Sequence, residues 1–139
     1  MDKSLLDTDI FSEVQKGINL KVSANATVYY REFGCYTLSV ITVAEIVSGW
    51  HKRQREDRIQ EFLVELVAAE VLLLDQQSAV LAGRMYADLE RAGQPIGSAD
   101  SAIAAIALQN GLTLVTGNSK HYQRIQTLGY DLKLNNWRI

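Results

Sequence analysis

Short apolar runs alternate with amphipathic stretches along the whole chain. Lys3 to Asp7 reads as a short buried strand, and Thr8 onward turns into a helix that Gly17 ends. Leu20 to Phe33 carries apolar residues near helical spacing, at Leu20, Val22, Val28, Tyr29 and Phe33, before Gly34 breaks the pattern. Tyr36 to Ile41 is apolar and rich in β-branched residues, which predicts a second strand. Thr42 then reads as a helix cap with Glu45 at capping-box spacing, opening a helix that runs through charged residues to Arg55. Asp57 to Glu70 predicts a further helix with Ile59, Phe62, Leu63, Leu66 and Val67 on one face. Val71 to Leu74 is a third strand, Gln76 to Arg91 a helix, and Gln94 to Ser98 a loop with the only proline. A small-residue helix opens at Ser98 or Ala99 and ends near Asn110-Gly111. Leu112 to Thr116 is a fourth strand, Gly117 to Lys120 a turn, and Asp131 to Leu134 a short last strand. Strands alternating with helices predict an α/β fold, a three-layer αβα arrangement around a mainly parallel sheet. With no internal repeat, low-complexity run or linker, residues 1–139 read as one domain.

Composition narrows the classes. A hydrophobic content of 47% supports a real core. No apolar run approaches the ~18 residues of a membrane span, and the amino-terminal residues lack a secretory pattern, so the expected compartment is the cytoplasm. A lone cysteine, Cys35, excludes an internal disulfide and a cysteine-rich zinc site. The net charge of −2 gives no global sign of a nucleic-acid binder, so any such contact must be a local basic surface.

Three separated acids carry the chemistry. Asp7 closes Leu5-Leu6-Asp7-Thr8-Asp9, Glu45 follows Leu38 to Ala44, and Asp100 precedes the apolar run Ile103 to Ala107. Taken singly, Asp7 is most simply a helix N-cap, Glu45 the capping-box partner of Thr42, and Asp100 a first-turn acid. All three, however, fall where a strand ends or a helix begins, along the sheet edge where α/β proteins build sites. Two carboxylates ~5 Å apart repel by roughly 3 kcal/mol at an effective dielectric of ~20. Three of them would raise one another's pKa values or take up a hard cation, Mg²⁺ or Mn²⁺, suited to phosphate chemistry. His51 and His121 pair with no evident nucleophile.

Four segments together carry a family resemblance: Leu5 to Ile10, Ser39 to Ile46, Ile96 to Ala105, and Leu114-Val115-Thr116-Gly117-Asn118. In this order they resemble the PIN-domain nucleases, and most of all the VapC toxins of VapBC toxin–antitoxin pairs. The resemblance covers essentially the whole chain. It implies a Mg²⁺-dependent endoribonuclease, with Mn²⁺ able to substitute, and Asp7, Glu45 and Asp100 as the acidic, metal-holding site. Asn118 falls where many relatives carry a fourth acid, a departure that bears on a second metal. Thr116 and Thr42 match hydroxyl residues of the pattern. The resemblance further implies a homodimer and a small antitoxin whose tail blocks the acidic groove, often with an arginine toward the carboxylates, which a guanidinium's charge suits.

Other residues take supporting roles. Asp9 is either a local cap or a supporting contact behind the metal ligands. Arg53 and Arg55, in the mixed charge run from His51 to Arg58, and Lys120, after the Asn118 turn, are candidate RNA-phosphate contacts beside their plainer role as solvated charges. Arg84 is expected to brace acids, and Trp50 and Trp137 to be core or dimer-surface aromatics. Among rivals, Asp7-Thr8-Asp9 resembles the paired aspartates of haloacid-dehalogenase-type phosphatases, but Phe11 stands where that motif prefers Thr or Val, and Glu45 is left without a role. A receiver-like domain lacks its lysine after Val115. A non-catalytic nucleic-acid or partner-binding module stays open because of Asn118.

Overall fold

The computed structural model describes residues 1–139 and contains five short strands and seven helices. In chain order these are β1 (Ser4–Leu6), α1 (Thr8–Lys16), α2 (Leu20–Phe33), β2 (Thr37–Ser39), α3 (Val40–Lys52), α4 (Glu56–Leu66), β3 (Glu70–Leu72), α5 (Gln76–Arg91), α6 (Ser98–Gln109), β4 (Thr113–Val115), α7 (Ser119–Thr127) and β5 (Leu134–Asn135). The sheet runs β3-β2-β1-β4-β5, and every neighbouring pair is parallel. The expected α/β fold with its parallel sheet is therefore the one observed. No helix is long and apolar enough to cross a membrane.

Both faces of the sheet are covered, and the alternation of side chains along each strand sorts the core into two layers. Leu5 and Leu114, partners across β1 and β4, point into one layer with Met85, Leu89, Ile103, Ile106 and Ile125 from α5, α6 and α7. Leu6 and Val115, the next pair in register, point into the other with Ile10, Phe11, Val22, Tyr29, Ile46, Phe62 and Trp137. Trp137 is thus a core aromatic, while Trp50 is half-buried beneath the Arg53 and Arg58 guanidiniums.

The order of the strands positions the site. The chain builds outward from β1 to β2 and β3, then returns to lay β4 on the other side of β1. The carboxyl ends of β1 and β4 therefore flank the switch point of the sheet, where connections leave in opposite directions and open a crevice. Asp7 leaves β1 there and Thr116-Gly117-Asn118 leave β4 there.

Two local expectations are corrected. Strand β2 ends at Ser39, and Ser39 rather than Thr42 caps α3: its Oγ accepts from the Thr42 N–H at 3.1 Å. Thr42 and Glu45 form no capping box, because the helix starts two residues before Thr42 and its hydroxyl turns to other partners. Helix α7 stands where the pattern predicted only a turn. It buries two residues, Tyr122 and Ile125, three positions apart, among polar ones, too thin an apolar stripe to announce a helix.

Fully buried Tyr29 anchors the start of β1: its hydroxyl accepts from Ser4 N–H at 3.1 Å and donates to Ser4 O at 3.2 Å. Tyr29→Phe leaves that buried N–H without a partner. It is expected to lower stability by about 1–3 kcal/mol, read from denaturant melts, with the far-ultraviolet circular dichroism of the native state unchanged.

Candidate active site

Asp7 sits at the centre of the crevice. It is the N-cap of α1, in extended backbone, and only 7% exposed. Both carboxylate oxygens are held: Oδ1 accepts from Thr8 N–H at 2.9 Å and Oδ2 from Thr116 Oγ1 at 2.9 Å. The cap and the site are the same side chain. Burial first, and the negative charge of Asp9 second, push Asp7 up to about 6, against the opposing bonds from Thr116 and Thr8; Asp100 adds a further push upward.

Glu45 reaches the same edge from α3. It is exposed, and its Oε1 accepts from Thr8 Oγ1 at 2.7 Å. Thr8 Oγ1 also lies 3.0 Å from Thr42 Oγ1, which is fully buried and 3.3 Å from Ser39 Oγ. A line of hydroxyls thus runs from the end of β2 to Glu45, and Thr8 joins the Asp7 turn to the Glu45 helix. The sequence pattern included Thr42 but missed Thr8, although its place between Asp7 and Asp9 was a usable signal.

Asp100 enters from the first turn of α6. The turn before it needs Gly97, whose φ of 93° lies in the left-handed region. Asp100 Oδ2 is 2.9 Å from His121 Nε2, which is also 3.0 Å from Ile96 O. Both neighbours are acceptors, so Nε2 carries the proton and donates to each. Helix α7 thereby grips both Asp100 and the loop that presents it, with Arg124 Nη1 donating to Pro95 O at 2.8 Å. The sequence pattern gives His121 no partner; helix α7 supplies one by carrying it to Asp100.

The remaining corner belongs to the segment after β4. Asn118 is exposed, and its backbone N–H donates to Thr116 Oγ1 at 3.0 Å, while its amide does not cap α7. Asp9 is bound to protein rather than open to the crevice: Oδ2 accepts from Gly117 N–H at 3.0 Å and lies 3.6 Å from Arg138 Nη1. Burial raises the Asp9 pKa, and the Arg138 charge pulls it back. Arg138 Nε also donates to Glu13 at 2.8 Å. The guanidinium lies across Gly117, where any Cβ would overlap it. Arg138 was not singled out from sequence, since nothing in its local pattern points toward Asp9.

The basic candidates separate. Arg55 is held by Asp57 through two bonds, at 3.0 and 2.8 Å, and Arg53 stacks on Trp50 at 4.9 Å. Lys120 is exposed on α7 next to His121. Arg84 is exposed on α5 and its charge acts on Asp88 and Tyr130 rather than on the site acids. No three histidine, cysteine, aspartate or glutamate side chains converge closely enough to ligate one ion by themselves. The crevice instead gathers Asp7 and Asp100, whose charges act on each other, with Glu45 tied beside them through Thr8.

A pH dependence follows from Asp7. Its folded pKa of about 6 lies above the ordinary 3.8, so the folded chain holds the proton more tightly than the unfolded one. The associated stability is present below about pH 4 and is lost as pH rises through about 6. At 1.36 kcal/mol per unit, the loss is of order 3 kcal/mol. Asp7→Asn keeps a capping oxygen and abolishes the titration. In metal-free buffer this variant is expected to be more stable than wild type at pH 7 and equal to it near pH 4, checked by thermal melts across that range.

Comparisons with known proteins agree with this geometry. The PIN domain family profile matches residues 4–126. The tRNA(fMet)-specific endonuclease VapC of Shigella flexneri is 30% identical over 128 residues, covering 90% of this chain and 93% of that protein. Ribonuclease VapC2 of Haemophilus influenzae is 32% identical over 141 residues, covering 99% of both. Among solved structures, DNA-bound VapBC from Salmonella typhimurium superposes with a TM-score of 0.82 at 28% identity, covering 99% of each chain. VapBC2 from Rickettsia felis, bound to a DNA fragment from its promoter, gives 0.81 at 26% identity over 96% of this chain and 98% of that one. Fold, crevice and relatives converge: the chain belongs to the VapC ribonuclease group of the PIN-domain family.

Proposed function

We propose that the chain is a Mg²⁺-dependent endoribonuclease that acts as the toxin of a type II toxin–antitoxin pair. The observation that carries this is the pairing of Asp7 with Asp100 at the switch point of a PIN-domain sheet, with Glu45 tethered beside them through Thr8. The donor chemistry fits a hard cation. Mg²⁺ keeps several waters and needs only one or two protein carboxylates, so a complete three-acid cage is not required. Asp7 and Asp100 are the residues that would hold it, and Glu45 would complete the set through a water. When bound, Mg²⁺ supplies Lewis-acid stabilisation of charge on a phosphodiester and lowers the pKa of water.

The chain's own groups do the positioning. Thr8 N–H and Thr116 hold the Asp7 carboxylate in one orientation, and His121 holds Asp100. Glu45, turned by the Thr8 hydroxyl, is the exposed carboxylate that accepts a proton from the attacking water. Asn118 offers an unprotonatable amide that can orient a water or a substrate oxygen, and Lys120 beside it is the basic group best suited to an RNA phosphate. Arg55, bound to Asp57, is less available for RNA than Lys120. The relatives named as ribonucleases support an RNA substrate, and the VapBC complexes support an antitoxin partner; that the antitoxin covers the acidic crevice, and that the working assembly is a homodimer, belong to the same proposal. The phosphatase alternative is disfavoured, because Asp9 is committed to Gly117 and Arg138 and is not free to act as a general acid.

The test is cleavage of structured RNA with Mg²⁺ or Mn²⁺, with and without chelator. Wild type is expected to cleave only with metal, and Asp7→Ala to be slower by about 100-fold or more. Cleavage unaffected by chelator, or an Asp7→Ala protein as active as wild type, would sink the proposal. Hydrolysis of a simple phosphomonoester without RNA cleavage would restore the phosphatase.

A further inference from the structure

We propose that Tyr122 is a positioning residue of the acidic site, its buried hydroxyl serving as the donor that fixes the Asp7 and Asp100 carboxylates when a divalent cation is bound. The inference rests on the metal-site reading above. Tyr122 follows His121 on α7 and is wholly buried, with its ring packed in the layer formed by α5, α6 and α7. The two rings meet edge to face at 5.7 Å, so the His121 contacts to Asp100 and Ile96 O also hold Tyr122 in place. Its hydroxyl is one of only two buried side-chain polar groups in the chain with no hydrogen-bond partner. The other, Trp137 Nε1, lies in the opposite layer.

The surroundings say what the hydroxyl is for. Asp7 and Asp100 are the two groups that act on it, through their charge and as the acceptors its proton faces, one from each wall of the crevice. A phenol has one proton to donate, and each carboxylate has lone pairs beyond those already used by Thr8, Thr116 and His121. Neither acid meets this donor in the geometry of a full hydrogen bond, which is costly for a buried group. The site therefore carries an unmet hydrogen bond directed at the pair of acids that repel each other. A cation that draws Asp7 and Asp100 together brings an acceptor to the hydroxyl, and the bond forms as part of binding. The hydroxyl thus adds more to metal affinity than to the stability of the free fold. An ordinary core tyrosine would do the reverse.

Tyr122→Phe removes the hydroxyl and preserves the ring. The experiment measures Mn²⁺ binding, by calorimetry and by the paramagnetic signal of free Mn²⁺, for wild type, Tyr122→Phe and Asp7→Ala, together with thermal melts in chelator. The expected result is Mn²⁺ affinity about tenfold weaker for Tyr122→Phe, the size seen when groups supporting metal ligands are removed, with a metal-free melting temperature equal to or above wild type. Affinity within about twofold of wild type overturns the inference while leaving the metal site intact. A drop in metal-free stability assigns the hydroxyl to general packing and overturns it as well. Wild type that binds no Mn²⁺ removes the metal-site reading and this inference together, an outcome distinguishable from the other two because Asp7→Ala then matches wild type.

Discussion

The rest of the structure is arranged around one carboxylate. Asp7 is buried at the switch point of the sheet and bonded on one oxygen to the first turn of α1 and on the other to the residue that follows β4. Through those two bonds it ties together the elements whose divergence opens the crevice. It does so at a cost, since burial and the charge of Asp9 push its pKa to about 6. A neutral side chain would serve the cap better near pH 7. Local departures from what stability prefers are expected where function is housed, and here capping, crevice and destabilisation share one residue.

Around that centre the charges are distributed unevenly. On one side, Asp100 and Glu45 carry polar partners that orient them: Thr8 on Glu45, and His121, whose Nε2 donates to Asp100 and Ile96 O. On the other, Asp9 and Glu13 are matched by Arg138, and Asn118 contributes an amide instead of a charge. Gly117 makes the Arg138 contacts possible, because its missing side chain is the space in which the guanidinium lies. The anchor for Arg138 is its neighbour Trp137, whose ring fills the core and whose carbonyl accepts from Asn25.

Helix α7 contributes more to the site than its thin apolar stripe suggests. His121 and Arg124 grip the two carbonyls of the loop before α6, and Tyr122 stands behind the acids. The α6 helix that carries Asp100 is made of small and apolar residues, with its run from Ser101 to Ala107 buried throughout. Its own surface offers little to orient a carboxylate, so the orientation comes from the neighbouring helix.

Much of this was legible in the chain itself. Alternating short apolar runs and amphipathic stretches determine an α/β domain, because only a sheet covered on both faces buries strands such as Ser4–Leu6 completely. Asp7, Glu45 and Asp100 could be picked out because each stands at the junction of a strand and a helix, a position defined by local pattern. Asn118 and Thr116 came instead from the resemblance of the Leu114 to Asn118 segment to the family pattern. What local pattern could not determine was which side chains those acids would meet. Ser39 displaced Thr42 as the α3 cap because two nearby hydroxyls compete for one helix end, and the backbone path decides between them. Thr8, His121, Tyr122 and Arg138 reach the crevice from positions about 20 to 130 residues away from the acids they touch or face. Such contacts cost loop-closure entropy and exist only once the sheet order has brought β1 beside β4. The identity of the acids is thus written in the sequence, while their partners are a product of topology.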